Sequence, residues 1–599
     1  MSRQKKKDIE ESKKDGDETK REEKSNAVKV PSNHETWKAR LEDGPSTSSD
    51  IHVKSVASET AKKTDGRDTF PLSSKILTEV KSTQTNKSGL DSGVKSDSEL
   101  DSGRTVQETK SNCENKGGKS TSKSAEKFYT IDDVVNEGGF GKFQVLVTFI
   151  TGMSWFSFGG QISAFSFIVD FLPCERTLYN WQIAVLRITM FLGMIVSSPL
   201  FGILSDRHGR RKAIALSNLM TFIVCGAGSL SNNVVALIVM AGLHGFALGG
   251  SGQPLTLASE YYSAKHRGLA NFIIQIFFTC GNIASLLVSW VITHFLFNWR
   301  WYLVVVSLPS LATFLLIPWF PESARFCLVN DQRRRATGQL KLLAHMNKME
   351  EPEGRLKPLP KEDIGKLMGL FKTNHRISTA LMCYMFFSAA FTYYVFVFIT
   401  PVIIEYGKLE YPQDTEYNST DHFTSQVPCK NFTKWFYIDL LWTNSAEFPG
   451  IFVFMFLIQI MNRKTLLTLA FLLILLMNFL LLTDTEYSFI LKALVFLGRA
   501  IATSVFQMVY TVTAESFPTT LRGVAIGTGT AAAQFGGVAA TFTAQLLLRS
   551  DKLATVSITG AILFFAAISA ACVPREMKDI DLREVTLQFE ELTKESTRS

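Results

Sequence analysis

Paired metal ligands and catalytic acid sets are missing from this sequence, and no cleavable leader is expected. Its eight cysteines, at positions 113, 174, 225, 280, 327, 383, 429 and 572, form no CxxC pair and have no neighbouring histidines. That excludes a zinc centre and a dense disulfide framework. No HExxH run occurs, so nothing supports an intramembrane enzyme, and neither a metal nor a cofactor is expected. The amino terminus is polar and reads as having no signal peptide. Charge is scarce as well: 20% of the 599 residues are charged against 46% hydrophobic.

That average conceals two unlike parts. Residues 1–127 carry Trp37 and Phe70 as their only aromatics, and such a stretch cannot bury enough apolar surface to offset its chain entropy. It is expected to be a disordered tail, with Asp91-Ser-Gly-Val-Lys-Ser96 as a candidate phosphorylation site. From Phe128 to Val573 apolar runs recur, each about 18 to 25 residues long, the length that crosses a bilayer core. A soluble enzyme is ruled out, and the bilayer is the first partner. The net charge of +8 lies mostly in short loops, so no nucleic-acid partner is expected.

Twelve spans are expected, the first near Val145 to Phe171 and the last near Ala554 to Val573. The chain then divides into the tail 1–127, a six-helix half 128–320, a linker 321–376, a second half 377–573 and a tail 574–599. Arginine and lysine collect in the loops after spans two, four, six and eight, including Arg207, Arg210, Arg211, Lys265, Arg267, Arg333 and Arg463. The positive-inside rule places those loops and both termini in the cytoplasm. The loop 405–437 between spans seven and eight falls on the other side and holds two glycosylation sequons, at Asn418 and Asn431. Cys174 and Cys429 share that side and are candidates for a bridge.

The two halves repeat one another. Glu260 precedes Arg267-Gly268 as Glu515 precedes Arg522-Gly523, and offsets of 253 to 255 residues also carry Asp206 to Gln459, Arg210 to Arg463 and Glu322 to Glu576. A parallel duplication of six helices places a substrate site between the halves.

Gly202-Ile-Leu-Ser-Asp206-Arg207-His-Gly209-Arg210-Arg211 resembles the GxLxDRxGRR loop of the major facilitator superfamily, and Pro321-Glu322-Ser-Ala-Arg325-Phe resembles the PESxR motif of its sugar and organic-ion branches. Tyr129-Thr-Ile-Asp-Asp-Val, Gly139-Phe-Gly-Lys-Phe-Gln, Asp439-Leu-Leu-Trp-Thr, Glu447-Phe-Pro-Gly450 and Glu515-Ser-Phe-Pro-Thr519 are similar to the synaptic vesicle 2-related branch. The resemblance implies an all-α, twelve-helix carrier of the vesicle or plasma membrane. The chain departs from that branch at Phe158 and Gln161 in span one, at Ala241 in span four, and at Gln459 and Asn462 in the second loop motif. Glu447 is left as the carboxylate available for proton coupling.

A gate at the cytoplasmic side is expected from Asp206, Arg207, Arg210, Arg211, Glu260, Arg267, Glu322, Arg325, Glu515 and Arg522, which can pair when that side is closed. Ionisable groups inside spans are costly, by about 2.5 to 3.5 kcal/mol on insertion scales, and call for a reason. Glu447 and Arg499 share a depth and are expected to pair. Arg187 either joins the site or snorkels outward; His244 is a packing group or a proton shuttle. Gln161, Gln275, Gln507, Tyr393 and Tyr394 are the polar candidates for lining a cavity. The function implied is transport of a small polar organic solute, anionic or zwitterionic if the arginines meet it. The competing reading is a transport-inactive vesicle-membrane protein that binds a ligand or partner.

Overall fold

The computed structural model describes residues 128–263, 265–295, 298–358, 366–372, 375–409, 429, 433–482, 488–548 and 551–573. Asn418, Asn431 and the tails 1–127 and 574–599 lie outside the described residues, as does most of the loop 405–437.

A short amphipathic helix, α1 (Ile131–Gly138), precedes the first long one. Thr130 caps it: its hydroxyl accepts from Asp133 N while the Asp133 carboxylate accepts from Thr130 N. Six long helices follow: α2 (Lys142–Glu175), α3 (Asn180–His208), α4 (Arg210–Ser229), α5 (Val234–Ser259), α6 (Arg267–Phe295) and α7 (Trp299–Leu316). The linker forms α8 (Ala324–Val329) and α9 (Arg333–Asn347). The second six are α10 (Arg376–Tyr406), α11 (Lys434–Ile460), α12 (Arg463–Leu480), α13 (Ser488–Ser516), α14 (Thr519–Phe542) and α15 (Lys552–Ala571). Eleven of these helices are long and apolar enough to cross a membrane. The other is α14, 24 residues rich in Gly, Ala and Thr.

Packing repeats between the halves. α2 lies along α6, α3 along α5 and α4 along α7; in the second half the counterparts α10 and α14, α11 and α13, and α12 and α15 pack together. Small residues bring the backbones close: a Cβ at Gly245 would sit 1.9 Å from Met190 O, and one at Gly450 would sit 2.1 Å from Ala500 O. The glycines of α5 thus serve helix packing, as small residues do inside membranes. The most extensive contacts between the halves are α3 with α14 and α6 with α11.

The bundle has two distinct ends. At one, β1 (Phe128–Tyr129) pairs in parallel with β2 (Arg355–Leu356), and α1 rests on α9; this end is the linker face. At the opposite end Cys174 is bonded to Cys429; this is the disulfide face.

Candidate functional site between the two halves

The turn between α3 and α4 is made by Gly209, at φ +107°, where a Cβ would also meet the Glu322 carboxylate. Glu322 replaces it as a cap, accepting from Arg210 N at 3.0 Å and Arg211 N at 3.4 Å at the positive end of α4. Burial pushes the Glu322 carboxyl above its ordinary value, against these donors and Arg210. Asp206, one turn before Gly209, pairs with Arg210 at 3.0 Å and accepts from Val524 N of α14 at 2.9 Å. Gly523 permits that approach, since a Cβ there would lie 2.4 Å from the Asp206 carboxylate. Glu260 binds Arg210 at 3.2 Å and Arg522 of the second half at 3.8 Å, and Ser323 donates to it. The linker face is therefore closed by charges that cross between the halves.

The duplicated arginines repeat one geometry. Arg210, Arg267, Arg463 and Arg522 donate to the carbonyls of Ser205, Tyr262, Ile458 and Phe517, each five residues back. Each guanidinium satisfies a helix-terminal acceptor while staying available to a carboxylate. Arg463 pairs with Glu515 at 3.5 Å, as Arg210 does with Glu260. The symmetry ends at Gln459, which is exposed and turns back to Met455 O. Of the expected gate set, Arg207 alone stands exposed and apart, and Arg211 joins through its backbone.

Midway along the bundle, α11 is interrupted at Ala446, between Lys434–Ser445 and Glu447–Ile460. Pro449 has no N–H for the Ser445 carbonyl, which weakens the ladder there. Glu447, fully buried, is held by Arg499 at 2.9 Å, Tyr393 Oη at 3.2 Å and Thr279 Oγ1 at 2.9 Å. Thr279 belongs to α6 of the first half; the other two come from α13 and α10. Arg499 also donates to Asn444 Oδ1 at 2.9 Å. The pair expected from shared depth is formed, and one carboxylate bridges the halves.

Residues 145–415 match the Major Facilitator Superfamily. The chain is 31% identical to the synaptic vesicle 2-related protein of Xenopus laevis over 456 residues, 76% of this chain and 82% of that protein. It is 26% identical to the organic cation/carnitine transporter 7 of Arabidopsis thaliana over 498 residues, 76% of this chain and 96% of that one. Among solved structures, the proton:xylose symporter XylE bound to 6-bromo-6-deoxy-D-glucose superposes with a TM-score of 0.57 at 17% identity, covering 74% of this chain and 99% of that one. The chain belongs to the major facilitator superfamily, in its synaptic vesicle 2-related branch. It is a multi-pass membrane protein with that superfamily's transporter fold.

The remaining polar residues of this facilitator-fold chain divide in two groups. Gln507 donates from Nε2 to Asn271 O across the halves at 2.7 Å, and Asn271 donates to Thr511 at 3.4 Å. Trp155 of α2 meets Tyr510 of α13 edge-on at 5.6 Å. Tyr394 meets Phe191 of α3 at 5.1 Å. Among the described residues, Trp155 Nε1, both amide atoms of Gln253, and the Oε1 atoms of Gln275 and Gln507 are buried without a hydrogen-bond partner.

The second group makes its hydrogen bonds and ion pairs within the first half. Gln161 donates to Val306 O at 3.0 Å and accepts from the Cys225 thiol, both inside the first half. Arg187 pairs with Asp170 of α2 at 2.6 Å and lies over the Phe398 ring. Asp170 went unnoticed in the sequence because it falls near the end of an otherwise apolar run. His244 lines a cavity of about 40 Å³ with Ala241, Cys225 and Trp299, and its Nε2 has no partner among the described residues.

Proposed function

We propose that this facilitator-branch protein carries a small polar organic solute by alternating access, with the solute held between the halves near Glu447, Gln275, Gln507, Tyr393 and Tyr394. The observation that carries the reading is Glu447 itself, a buried carboxylate bound at once by Thr279 of the first half and by Arg499 and Tyr393 of the second. Parting the halves breaks that set, so its bonds differ between states, as a moving site requires. The unpartnered buried atoms of the bundle include uncharged amides and an indole N–H, together with the Nε atoms of Arg499 and Arg187. Arg499 and Arg187 each bear a carboxylate partner. The net charge of the layer is near zero, which favours a neutral, hydroxyl-rich or zwitterionic solute; an anion has to displace Glu447 from Arg499 first.

Glu447 is the proposed proton-responsive group, in keeping with the proton symport that XylE's description gives for that protein. The linker face and both termini are proposed to be cytosolic, in a vesicle or plasma membrane, with Asn418 and Asn431 glycosylated on the opposite side. Protease applied to intact cells should spare the N-terminal tail, and its removal would reverse the orientation. The test of function is uptake by proteoliposomes from a mixture of sugars, amino acids and organic anions, with and without a pH gradient. Uptake of a neutral or zwitterionic solute that Gln275→Ala and Gln507→Ala weaken supports the reading. Absence of any uptake, with the halves locked in one state, supports the transport-inactive alternative.

A further inference from the structure

One carboxylate of the charged layer at the linker face comes from outside the duplicated loops. Asp132 lies in α1, ahead of the first membrane helix, and is paired with Arg325 of α8; the two residues are 7% and 3% exposed. Arg267 and Arg522 also act on it, and the three guanidiniums outweigh the effect of burial and hold its carboxyl below the ordinary value. The helix that carries it is fixed at both ends. Lys357 N donates to Tyr129 O at 3.0 Å beside the β1–β2 pair. Asn347 of α9 donates to Gly138 O at 3.2 Å and to Gln144 Oε1 at 2.8 Å, and accepts from Phe143 N at 3.0 Å.

The signs in the layer make Asp132 consequential. With the face closed, Arg210, Arg267, Arg325 and Arg522 stand against Asp132, Asp206, Glu260 and Glu322. Arg522 belongs to α14 and leaves with the second half when the face opens. What stays behind then holds three guanidiniums and four carboxylates, one net negative charge facing one departing positive charge. Without Asp132 the first-half side is neutral and that attraction vanishes. Arg207 and Arg211 are exposed and half-exposed, where water and salt screen them.

We infer that Asp132 is a positioning residue of the gate: docked on Arg325, α1 supplies the net negative charge that holds Arg522 and α14 against the first half. The segment ahead of the first membrane helix thereby sets how readily the linker face opens. The inference rests on the alternating-access reading above.

The test is maleimide labelling of Ile526→Cys, read residue by residue by mass spectrometry in the full-length protein in membranes. Ile526 is fully buried and faces Gly252 across the seam. Asp132→Asn is expected to raise the labelling rate about fivefold or more, and Asp132→Glu to leave it near the parent. Arg325→Gln should slow labelling. The double variant Asp132→Asn/Arg325→Gln returns the first-half side to one net negative charge and should restore the parent rate, whereas a packing role leaves it as open as the single variant or more so. An unchanged rate in Asp132→Asn, or a double variant as open as the single, overturns the inference. Should Asp132→Asn fail to reach the membrane, Arg325→Gln and the double variant still decide it, since equal rates in the two contradict the charge argument. Asp206→Asn separates the two levels: labelling that rises there but not in Asp132→Asn rejects Asp132 alone, while labelling absent in every variant rejects alternating access.

Discussion

Arg210, Arg267, Arg463 and Arg522 each bond the carbonyl five residues back, and Arg210, Arg463 and Arg522 also pair with a carboxylate, a double duty that fits the recurrence of these arginines in both halves. Asp206 differs, because besides pairing with Arg210 it accepts from a backbone N–H of the other half. Asp206→Asn should keep the fold, lose about 1–3 kcal/mol of inter-half attraction, and raise labelling of linker-face cysteines; unchanged labelling and unchanged transport would dismiss Asp206 from the gate. At Glu447 and Arg499 each single change to Gln leaves a buried partner uncompensated, a loss of about 3–5 kcal/mol. The double change should recover part of it. A coupling of about 0.5–3 kcal/mol in that cycle, measured by thermal unfolding in detergent, marks a functional contact, and strict additivity would contradict the observed pairing. This pair was legible in the sequence because two rare opposite charges share a depth where neither is tolerated alone. Asp132 was not legible: an acid in the first turn of a helix normally reads as a complement to the helix dipole, and only the fold brings Arg325 to it.

Among elements, the membrane helices were legible as apolar runs but their ends were not. α2 begins at Lys142 and α10 at Arg376, within a few residues of the expected starts, because the polar first turns extend past the hydrocarbon and carry no hydropathy signal. The break in α11 has Pro449 as its one sequence signal, and α14 continues into a π-turn, Thr543–Leu547, before Leu548. The element most exposed to experiment is α1. Burial opposes ionisation of Asp132, but Arg325, Arg267 and Arg522 win and its folded pKa is lowered. A lowered carboxylate pKa adds stability above the unfolded value, near 3.8, and that stability fades as pH falls through the lower folded value. Hydrogen exchange of α1 amides, corrected for intrinsic rate, should therefore be constant from about pH 5 to 8. Protection that fell within this window would mean that a different group anchors the helix.

At the scale of the whole molecule, two repeated halves must separate at one end while closing at the other, and the disulfide bears on that motion. Cys174 is in the last turn of α2, and Cys429 lies five residues before α11 begins at Lys434. The bond thus ties the first half to the second across the disulfide face, a tie that the sequence offered only as two cysteines on one side. Five residue steps reach at most about 17 Å when extended, so the bridge bounds how far α2 and α11 can part without fixing them. The linker face has no disulfide among the described residues and is bridged by charge. Near the bridge, Tyr437 of α11 bonds Thr293 of α6 at 2.8 Å and stacks on Trp290 at 5.8 Å, which also keeps the disulfide face closed. Replacing both cysteines by serine should let that face open wider: a cysteine at Thr293 should react with impermeant maleimide about threefold faster or more, while one at Ile526 should keep its rate. A reductant applied to the parent should reproduce the difference, and on intact cells an impermeant one should suffice if the bridge faces an oxidising compartment. Equal rates at Thr293 with and without the bond would show that the tether is slack throughout the cycle and that the packing of Tyr437 alone sets the opening.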